Sequence, residues 1–302
     1  MTITQTISKY SKHLKSSSPL LDVELLLSHT LNKPKEYLYT YPEKKLTTKQ
    51  LNNFTTLLRL RSKGEPMAYI LGHKEFYGLD FKVNKNVLIP RPETEQLVEE
   101  ALQYAKKKKI LSVVEIGIGS GAVVISLAKN ICHPACPPEL QRRRELSRRV
   151  NKCAEPEFIA TDISAKALAI ARQNAKLHKV KIHFFQGNLL QPLTKISDFQ
   201  FLISNFILIA NLPYLDTKQL NNQQLNYEPK SALNGGPDGL KYFREFFHQI
   251  AQYKLQPQAI FLEIGHNQGA KIKKLAQLAL PKYKITVKKD LCGFDRIATL
   301  IK

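Results

Sequence analysis

Residues 111–121 read Leu-Ser-Val-Val-Glu-Ile-Gly-Ile-Gly-Ser-Gly, and this run indicates the fold class. Its first, apolar half predicts a buried strand, and apolar residues continue at helical spacing from Ala122 to Lys129. Glycines between a strand and a helix permit positive φ and let a ligand approach the backbone, while the helix N-terminus favours an electron-rich group. The stretch therefore predicts a strand–loop–helix unit of an α/β domain that binds a ligand at this loop.

Outward from this loop, apolar runs and helical patterns alternate along the chain. Such alternation, with nearly continuous apolar strands, predicts a mostly parallel sheet covered by helices on both faces. Two final runs, Tyr283 to Val287 and Arg296 to Ile301, predict an antiparallel edge at the C-terminal end. The other predicted elements are strands at 158–160, 180–185, 207–210 and 259–264 and a helix from Ser164 to His178.

The chain before this domain has a different pattern. Ser18 followed by Pro19, and Thr47 followed three residues later by Gln50, are typical helix starts. We therefore predict a small helical domain over residues 1–75. Short alternating runs around Gly78 predict a hairpin linker over 76–90, and the α/β domain then occupies 91–302, with a basic, proline-containing insertion at 131–156.

Composition limits the class of protein. The chain has 302 residues, 43% of them hydrophobic, and 46 Lys and Arg against 25 Asp and Glu give it a net charge of +21. This excess attracts polyanions, but it is spread along the chain rather than gathered in a tail. The sequence has four cysteines, no apolar run of about 18 residues and no secretory signal, so we predict a cytoplasmic protein that does not enter a membrane.

Residues at the ends of the predicted strands distinguish between cofactors. With Ala122 the glycines also fit the dinucleotide pattern G-x-G-x-x-A, so an NAD-dependent enzyme is one alternative. Glu115 instead suits a cationic ligand, and S-adenosylmethionine carries a sulfonium and an ammonium. Asp162 can accept from both ribose hydroxyls, or can simply cap the following helix. Asn188 can accept from an adenine amino group, or can be an ordinary turn residue.

The sequence Asn211-Leu212-Pro213-Tyr214 follows a predicted strand at the end where open α/β sheets bind ligands. A planar amide or amino nitrogen is a poor nucleophile because its lone pair is delocalised. A site that methylates it should accept hydrogen bonds from its N–H groups, and the Asn211 side chain and the Leu212 backbone offer carbonyls. Pro213 keeps Leu212 extended, and Tyr214 can pack on the planar group. The pattern predicts methyl transfer with Asn211, Pro213 and Tyr214 as catalytic residues; an ordinary Asn-Pro turn is the alternative.

With these motifs the chain resembles the HemK/PrmC family, the peptide chain release factor N5-glutamine methyltransferases. The resemblance covers nearly the whole length. Its most discriminating stretch is Ile-Pro-Arg-Pro-Glu-Thr-Glu at 89–95, because general amino-methyltransferases share only the glycine loop and the Asn-Pro-Tyr box. Further stretches are Gly-Glu-Pro-Met-Ala-Tyr-Ile-Leu-Gly at 64–72, Glu-Phe-Tyr-Gly at 75–78, Tyr-Glu-Pro at 227–229, Gly-Gly-Pro-Asp-Gly-Leu at 235–240 and Leu-Glu-Ile-Gly at 262–265.

The resemblance implies a helical N-terminal domain that helps to grip the substrate, a hairpin linker and a Rossmann-like S-adenosylmethionine-dependent methyltransferase domain. The implied substrate is the glutamine of the Gly-Gly-Gln motif in class I peptide chain release factors. We also expect a monomer without a metal ion. The predicted cofactor residues are Glu115, Gly117, Gly119, Gly121, Asp162, Asn188 and Asn211. The predicted substrate residues are Arg91, Pro92, Asn211, Leu212, Pro213, Tyr214 and Glu228.

Three features depart from the family pattern. Leu212 stands where the first proline of Asn-Pro-Pro-Tyr is usual; its carbonyl remains, so we expect activity with less rigid preorganisation. Asn188 stands where an acidic residue is usual, which bears on cofactor affinity. The insertion is not a family feature.

Two other functions stay open at this point. A nucleic-acid adenine-N6 methyltransferase uses the same acceptor chemistry and suits the basic charge, but the sequence has no aromatic-rich platform or target-recognition domain, so direct nucleic-acid binding is not expected. A catalytically impaired S-adenosylmethionine-binding module is the second.

In the insertion, the cysteines and histidine lack the spacing of a structural zinc site, and the arginines form a solvated helix face or an RNA contact. These residues are Cys132, His133, Cys136 and Cys153, and Arg142, Arg143, Arg144, Arg148 and Arg149.

Overall fold

The structure, a computed structural model, describes residues 1–131, 156–195, 205–221 and 225–302. The described chain divides into two units. The first comprises residues 1–73 and 83–85, and the second comprises 74–82 and 86–302. The cysteines, histidine and arginines singled out in the insertion lie outside the described residues.

The first unit is helical, as predicted. Its second and fourth helices begin where the sequence signals stand: Pro19 occupies a first-turn position, and the Thr47 side chain accepts from the backbone N–H of Gln50 at 3.2 Å. The helices are α1 (Ile3–Ser11), α2 (Pro19–Leu31), α3 (Glu36–Thr40), α4 (Thr48–Ser62) and α5 (Met67–Leu71). Their shared core consists of Ile3, Leu14, Val23, Leu26, Leu27, Leu38 and Phe54.

Strands β1 (His73–Phe76) and β2 (Leu79–Lys82) form a hairpin that starts before the predicted linker over 76–90 and ends within it. Residues 74–82 belong to the second unit, so the hairpin is not a separate linker. Positive φ at Tyr77 and Gly78 gives the two-residue turn the twist that neighbouring strands need. The buried Asn174 side chain pairs with the backbone of Lys82, from which it accepts at 2.8 Å and to which it donates at 3.0 Å. These bonds fix β2 to the helix that carries Asn174.

The second unit contains a seven-stranded sheet in the order β5-β4-β3-β6-β7-β9-β8. The first five strands are parallel, while β9 runs antiparallel to β7 and to β8, which confirms the predicted antiparallel edge. The strands are β3 (Ser112–Ile116), β4 (Glu157–Asp162), β5 (His183–Gln186), β6 (Phe206–Asn211), β7 (Ala259–Glu263), β8 (Lys284–Lys289) and β9 (Asp295–Ile301).

Helices cover both faces of this sheet, as the apolar strands predict. Val113 and Val114 are both buried but point to opposite faces, and each belongs to a different hydrophobic cluster. The helices are α6 (Glu95–Lys108), α7 (Ala122–Ile131), α8 (Ala165–Leu177), α9 (Lys230–Leu233), α10 (Lys241–Gln252) and α11 (Gly269–Ala279), with 3₁₀ turns at Pro92–Thr94, Gln191–Lys195 and Gln219–Asn221. Residues of α6, α7 and α8 contribute to one cluster, and those of α10 and α11 to the other.

The strand order reverses between β3 and β6, which lie side by side with Ile116 opposite Ala210. In open α/β sheets a crevice forms at such a reversal, beyond the carboxyl ends of the strands. The fold thus opens a cleft at the ends of β3, β4 and β6. In the four described stretches, no helix combines the length and the apolar character needed to cross a membrane.

Candidate active site

A cleft at this edge of the sheet brings together residues that the sequence predicted separately. A second cavity adjoins it, and Leu88, Arg91, Asn211 and Ala232 line both. Asn211 therefore stands where the two spaces meet. Tyr214 lines the second cavity. The predicted residues that line the first are Arg91, Glu115, Gly117, Gly119, Asp162, Asn188, Asn211, Leu212 and Pro213.

The glycine loop after β3 is held by the backbone of β4. The N–H groups of Gly117 and Ile118 both donate to the carbonyl of Thr161, at 2.9 and 3.1 Å. Gly121, also predicted to bind the cofactor, packs against the helices: a Cβ on it would lie 2.8 Å from Ile125 Cδ1, and its φ is +85°. Gly121 thus contributes by letting the loop turn tightly into α7.

Asp162 connects the loop to the start of α8. Its Oδ2 accepts from the N–H of Gly119 at 3.0 Å, and its Oδ1 accepts from the N–H of Ser164 at 2.8 Å. Burial raises the pKa of Asp162, and these backbone donors oppose the rise. A carboxylate offers about four acceptor positions, so roughly two remain for the hydroxyls of a ligand. The capping and ligand-binding interpretations are therefore compatible.

Glu115 is a buried carboxyl group at the wall of the cleft. Its side chain is 3% exposed, and its Oε2 accepts from the N–H of Val124 in the first turn of α7 at 2.9 Å. Burial raises the pKa of Glu115 well above its ordinary value. A cationic ligand beside this group would favour its ionised form. With Asp162, it provides acceptors suited to a ligand that has a positive charge and a pair of hydroxyls.

The Asn211 side chain is held by a series of polar partners. Its Nδ2 donates to Thr94 Oγ1 at 3.3 Å, and Thr94 Oγ1 donates to Glu263 Oε2 at 2.6 Å. The Tyr214 hydroxyl donates to Glu263 Oε1 at 3.2 Å. Burial, with the charge of Glu263, raises the pKa of Tyr214, so its hydroxyl keeps its proton at neutral pH. Leu212 between them is 2% exposed.

A second glycine-rich loop, at 235–239, fixes the backbone of Pro213 and Tyr214. A Cβ on Gly235 would lie 2.8 Å from the Pro213 carbonyl oxygen, and one on Gly239 would lie 2.3 Å from the Tyr214 carbonyl oxygen. The Gln268 side chain donates to both the Tyr214 and Gly239 carbonyls, at 3.0 and 3.2 Å. These contacts order the box that contains Leu212 in place of the usual proline.

Three of the predicted substrate residues, Arg91, Pro92 and Glu228, differ in their positions. Arg91 is half-buried, lines both cavities and forms an ion pair with Glu228. Glu228 is 5% exposed and also accepts from the N–H of Ile89 at 3.2 Å. Pro92 lies at the surface, where it begins a 3₁₀ turn. Glu228 thus lines neither of these two cavities and is joined to them by its ion pair with Arg91.

Sequence reasoning missed Thr94 and Glu263 as site residues. Both residues stand within motifs of the sequence, at 89–95 and 262–265, and Glu263 also follows directly after an apolar run, at the carboxyl end of its strand. Because β6 and β7 are parallel neighbours, Glu263 pairs in register with Asn211. Other lining residues outside the predicted set include Asn86, Val87, Leu88, Ser231 and Ala232.

Comparisons with known proteins bear on this site. The PrmC N-terminal domain family matches residues 5–72. A release factor glutamine methyltransferase of Coxiella burnetii is 37% identical over 283 residues, which make up 93% of this chain and 91% of that protein. One of Koribacter versatilis is 34% identical over 88% of each. The solved hMettl16 catalytic domain, in complex with the MAT2A 3′UTR hairpin 1, has a TM-score of 0.53 over 91% of this chain and 90% of that one, at 12% identity, which shows the fold alone.

Proposed function

Because the chain belongs to the release factor glutamine methyltransferase family, we propose that it transfers a methyl group from S-adenosylmethionine to a release factor glutamine. The acceptor would be the side-chain amide nitrogen of the Gly-Gly-Gln motif in class I peptide chain release factors. The position of Asn211, at the junction of the two cavities, supports this proposal best. A cofactor in one cavity and a substrate side chain in the other would meet there.

The residues of the first cavity suit S-adenosylmethionine. Asp162 has acceptor positions left for the ribose hydroxyls, and Glu115 lies where a carboxylate would favour the positive charge of the ligand. Asn188 lines the same space and would accept from the adenine amino group. When bound, the cofactor supplies a methyl group on a positively charged sulfur and leaves as a neutral thioether.

The box at 211–214 would bind the glutamine amide. The carbonyl oxygens of the Asn211 side chain and the Leu212 backbone would accept from its two N–H groups, which favours the tetrahedral nitrogen as it forms. An acceptor placed for a developing charge typically contributes about 2.7–4 kcal/mol. Tyr214 would pack on the planar amide and hold its nitrogen in line with the methyl group. The methylated nitrogen is acidic enough to lose its proton to water, so no general base is required.

The partner and the place of action follow from this substrate. A release factor works with the translating ribosome, so we infer that the protein acts in the cytoplasm, as a monomer that meets its partner transiently. The net charge of +21 would attract an acidic surface of that partner.

Methyl transfer from labelled S-adenosylmethionine tests the proposal directly. The purified protein is incubated with a class I release factor, with the same factor whose Gly-Gly-Gln glutamine is replaced by alanine, and with DNA and RNA. We expect label in the first sample alone. Label in the glutamine-free factor would disprove the proposed acceptor, and label in nucleic acid would support an adenine-N6 methyltransferase instead.

A further inference from the structure

A buried polar chain lies behind the candidate acceptor residue. It runs from Asn211 through Thr94 to Glu263, which also accepts from the Tyr214 hydroxyl. Thr94 is 5% exposed and Glu263 is 1% exposed, so protein groups rather than bulk water satisfy their hydrogen bonds. These four residues come from three separate parts of the chain: the turn before α6, the end of β6 and the end of the neighbouring β7.

When the Glu263 carboxylate is ionised, the direction of each hydrogen bond in this chain is fixed. Ionised Glu263 can only accept, so both hydroxyl groups that contact it must donate. The Thr94 oxygen has then used its one proton and can only accept from Asn211. Asn211 must therefore turn its NH₂ group towards Thr94, which leaves its carbonyl oxygen for the cleft.

Protonation of Glu263 would remove this constraint. The protonated carboxyl group could donate to Thr94, and Thr94 could then donate to the carbonyl oxygen of Asn211. The Asn211 NH₂ group would face the cleft in that case. It would stand opposite the N–H groups of an incoming amide, and two hydrogen-bond donors cannot pair. Only one protonation state of Glu263 thus matches the proposed chemistry.

Starting from the proposed function, we propose that Glu263 is a positioning residue for methyl transfer, which acts through Thr94 to hold the Asn211 carbonyl towards the substrate amide. Glu263 would not touch the reacting atoms. Its second oxygen would hold Tyr214 at the same time, so one carboxylate would orient both side chains that contact the amide.

Several charged and titratable groups surround Glu263. Burial raises the pKa of Glu263, and the charge of Glu93 adds to the rise, while Thr94, Arg296 and Tyr214 oppose it. Arg296 lies on β9 and is itself paired with Asp290 at 2.9 Å. Because the pKa of Glu263 is raised, the Asn211 orientation should be lost at a less acidic pH than for an exposed glutamate.

Thr94→Val and Thr94→Ser form the matched test. Valine keeps the shape of threonine without the hydroxyl, whereas serine keeps the hydroxyl. We expect Thr94→Val to lower kcat by roughly 10- to 100-fold, because a reacting group that is misplaced by about 1 Å loses rate on this scale. The affinity for S-adenosylmethionine and the circular dichroism spectrum should stay unchanged. Thr94→Ser should recover most of the rate. Equal rates for the two variants would overturn the proposal.

The pH profile adds a readout that a purely structural role would not change. The kcat of the wild type should fall on the acid side as Glu263 becomes protonated. Glu263→Gln should be slow at neutral pH and should lose this acid-side fall; a variant that keeps the wild-type profile contradicts the positioning role. If the wild type itself fails to methylate a release factor, the proposed function fails instead, so the two failures are distinguishable.

Discussion

The backbone N–H of Gly119 donates to Oδ2 of Asp162 at 3.0 Å, so the glycine loop after β3 is tied to the end of β4. The other Asp162 oxygen accepts from Ser164 at the start of α8. One carboxylate thereby sets the shape of the loop and faces the cleft. A substitution at 162 should weaken cofactor binding in two ways, by changing the shape of the loop and by removing acceptors for the ligand. A graded pair of variants can separate these two effects.

Asp162→Asn and Asp162→Ala are that pair. Asparagine keeps one carbonyl for the Gly119 N–H but loses charge-assisted bonds to the ribose, each of which contributes about 1.5–3 kcal/mol. We expect S-adenosylmethionine affinity to fall roughly 10- to 100-fold in Asp162→Asn and further in Asp162→Ala, measured by calorimetry. Glu157→Gln, at the exposed beginning of the same strand, is the control. Unchanged affinity in both variants would leave Asp162 with its capping role only.

Asn211→Ala should separate chemistry from cofactor binding. Removing the side-chain acceptor should lower turnover on the release factor by about 10²–10³-fold, as for other groups that stabilise developing charge. Binding of S-adenosylmethionine should change little, because Asp162 and Glu115 would carry most of it. Asn205→Ala is the matched control: Asn205 precedes the opposite end of β6, where its side chain donates to the Lys109 carbonyl at 3.1 Å. An unimpaired Asn211→Ala enzyme would exclude the acceptor role.

The sequence predicted the parts of this site that depend on local signals. The run at 111–121, with its apolar strand and glycines, predicted a strand, a loop and a helix that the structure contains. The bond between Thr94 and Glu263 joins residues 169 positions apart, and its existence depends on how the turn before α6 packs against the end of β7. Neither periodicity nor motif spacing specifies that packing. The two residues were therefore visible only as parts of longer motifs, without a role.

Glu115→Gln should have opposite effects on stability and on cofactor binding. The pKa of Glu115 is raised well above 4.5 in the folded state, so folding favours the protonated form. Its stabilising contribution is present below pH 4.5, the unfolded value, and is lost as pH rises through the folded value. Glutamine keeps an acceptor for Val124 without a buried charge. We expect a higher free energy of unfolding at pH 7 and weaker S-adenosylmethionine binding.

Urea unfolding between pH 4.5 and pH 8, with cofactor titration at each pH, checks this prediction. Glu43→Gln, on an exposed residue of the first unit, should leave both quantities unchanged. A Glu115→Gln protein that binds S-adenosylmethionine as tightly as the wild type would limit the role of Glu115 to its hydrogen bond with the first turn of α7.

Gly239→Ala should destabilise the second unit through the backbone of Tyr214. The added Cβ would lie 2.3 Å from the Tyr214 carbonyl oxygen and 2.5 Å from Gln268 Nε2, at a φ of +73°. Gly293→Ala is the matched control, since its φ is +83° with nothing within 4 Å of the new Cβ. Both variants carry the positive-φ cost of about 1–2 kcal/mol. Only Gly239→Ala adds overlap, which costs roughly 1–3 kcal/mol more. Urea unfolding should show that difference in the free energy of unfolding. Methyl transfer should fall in Gly239→Ala alone, because Tyr214 is displaced. Equal stability of the two variants would mean that the loop at 235–239 accommodates the added methyl group without moving Tyr214.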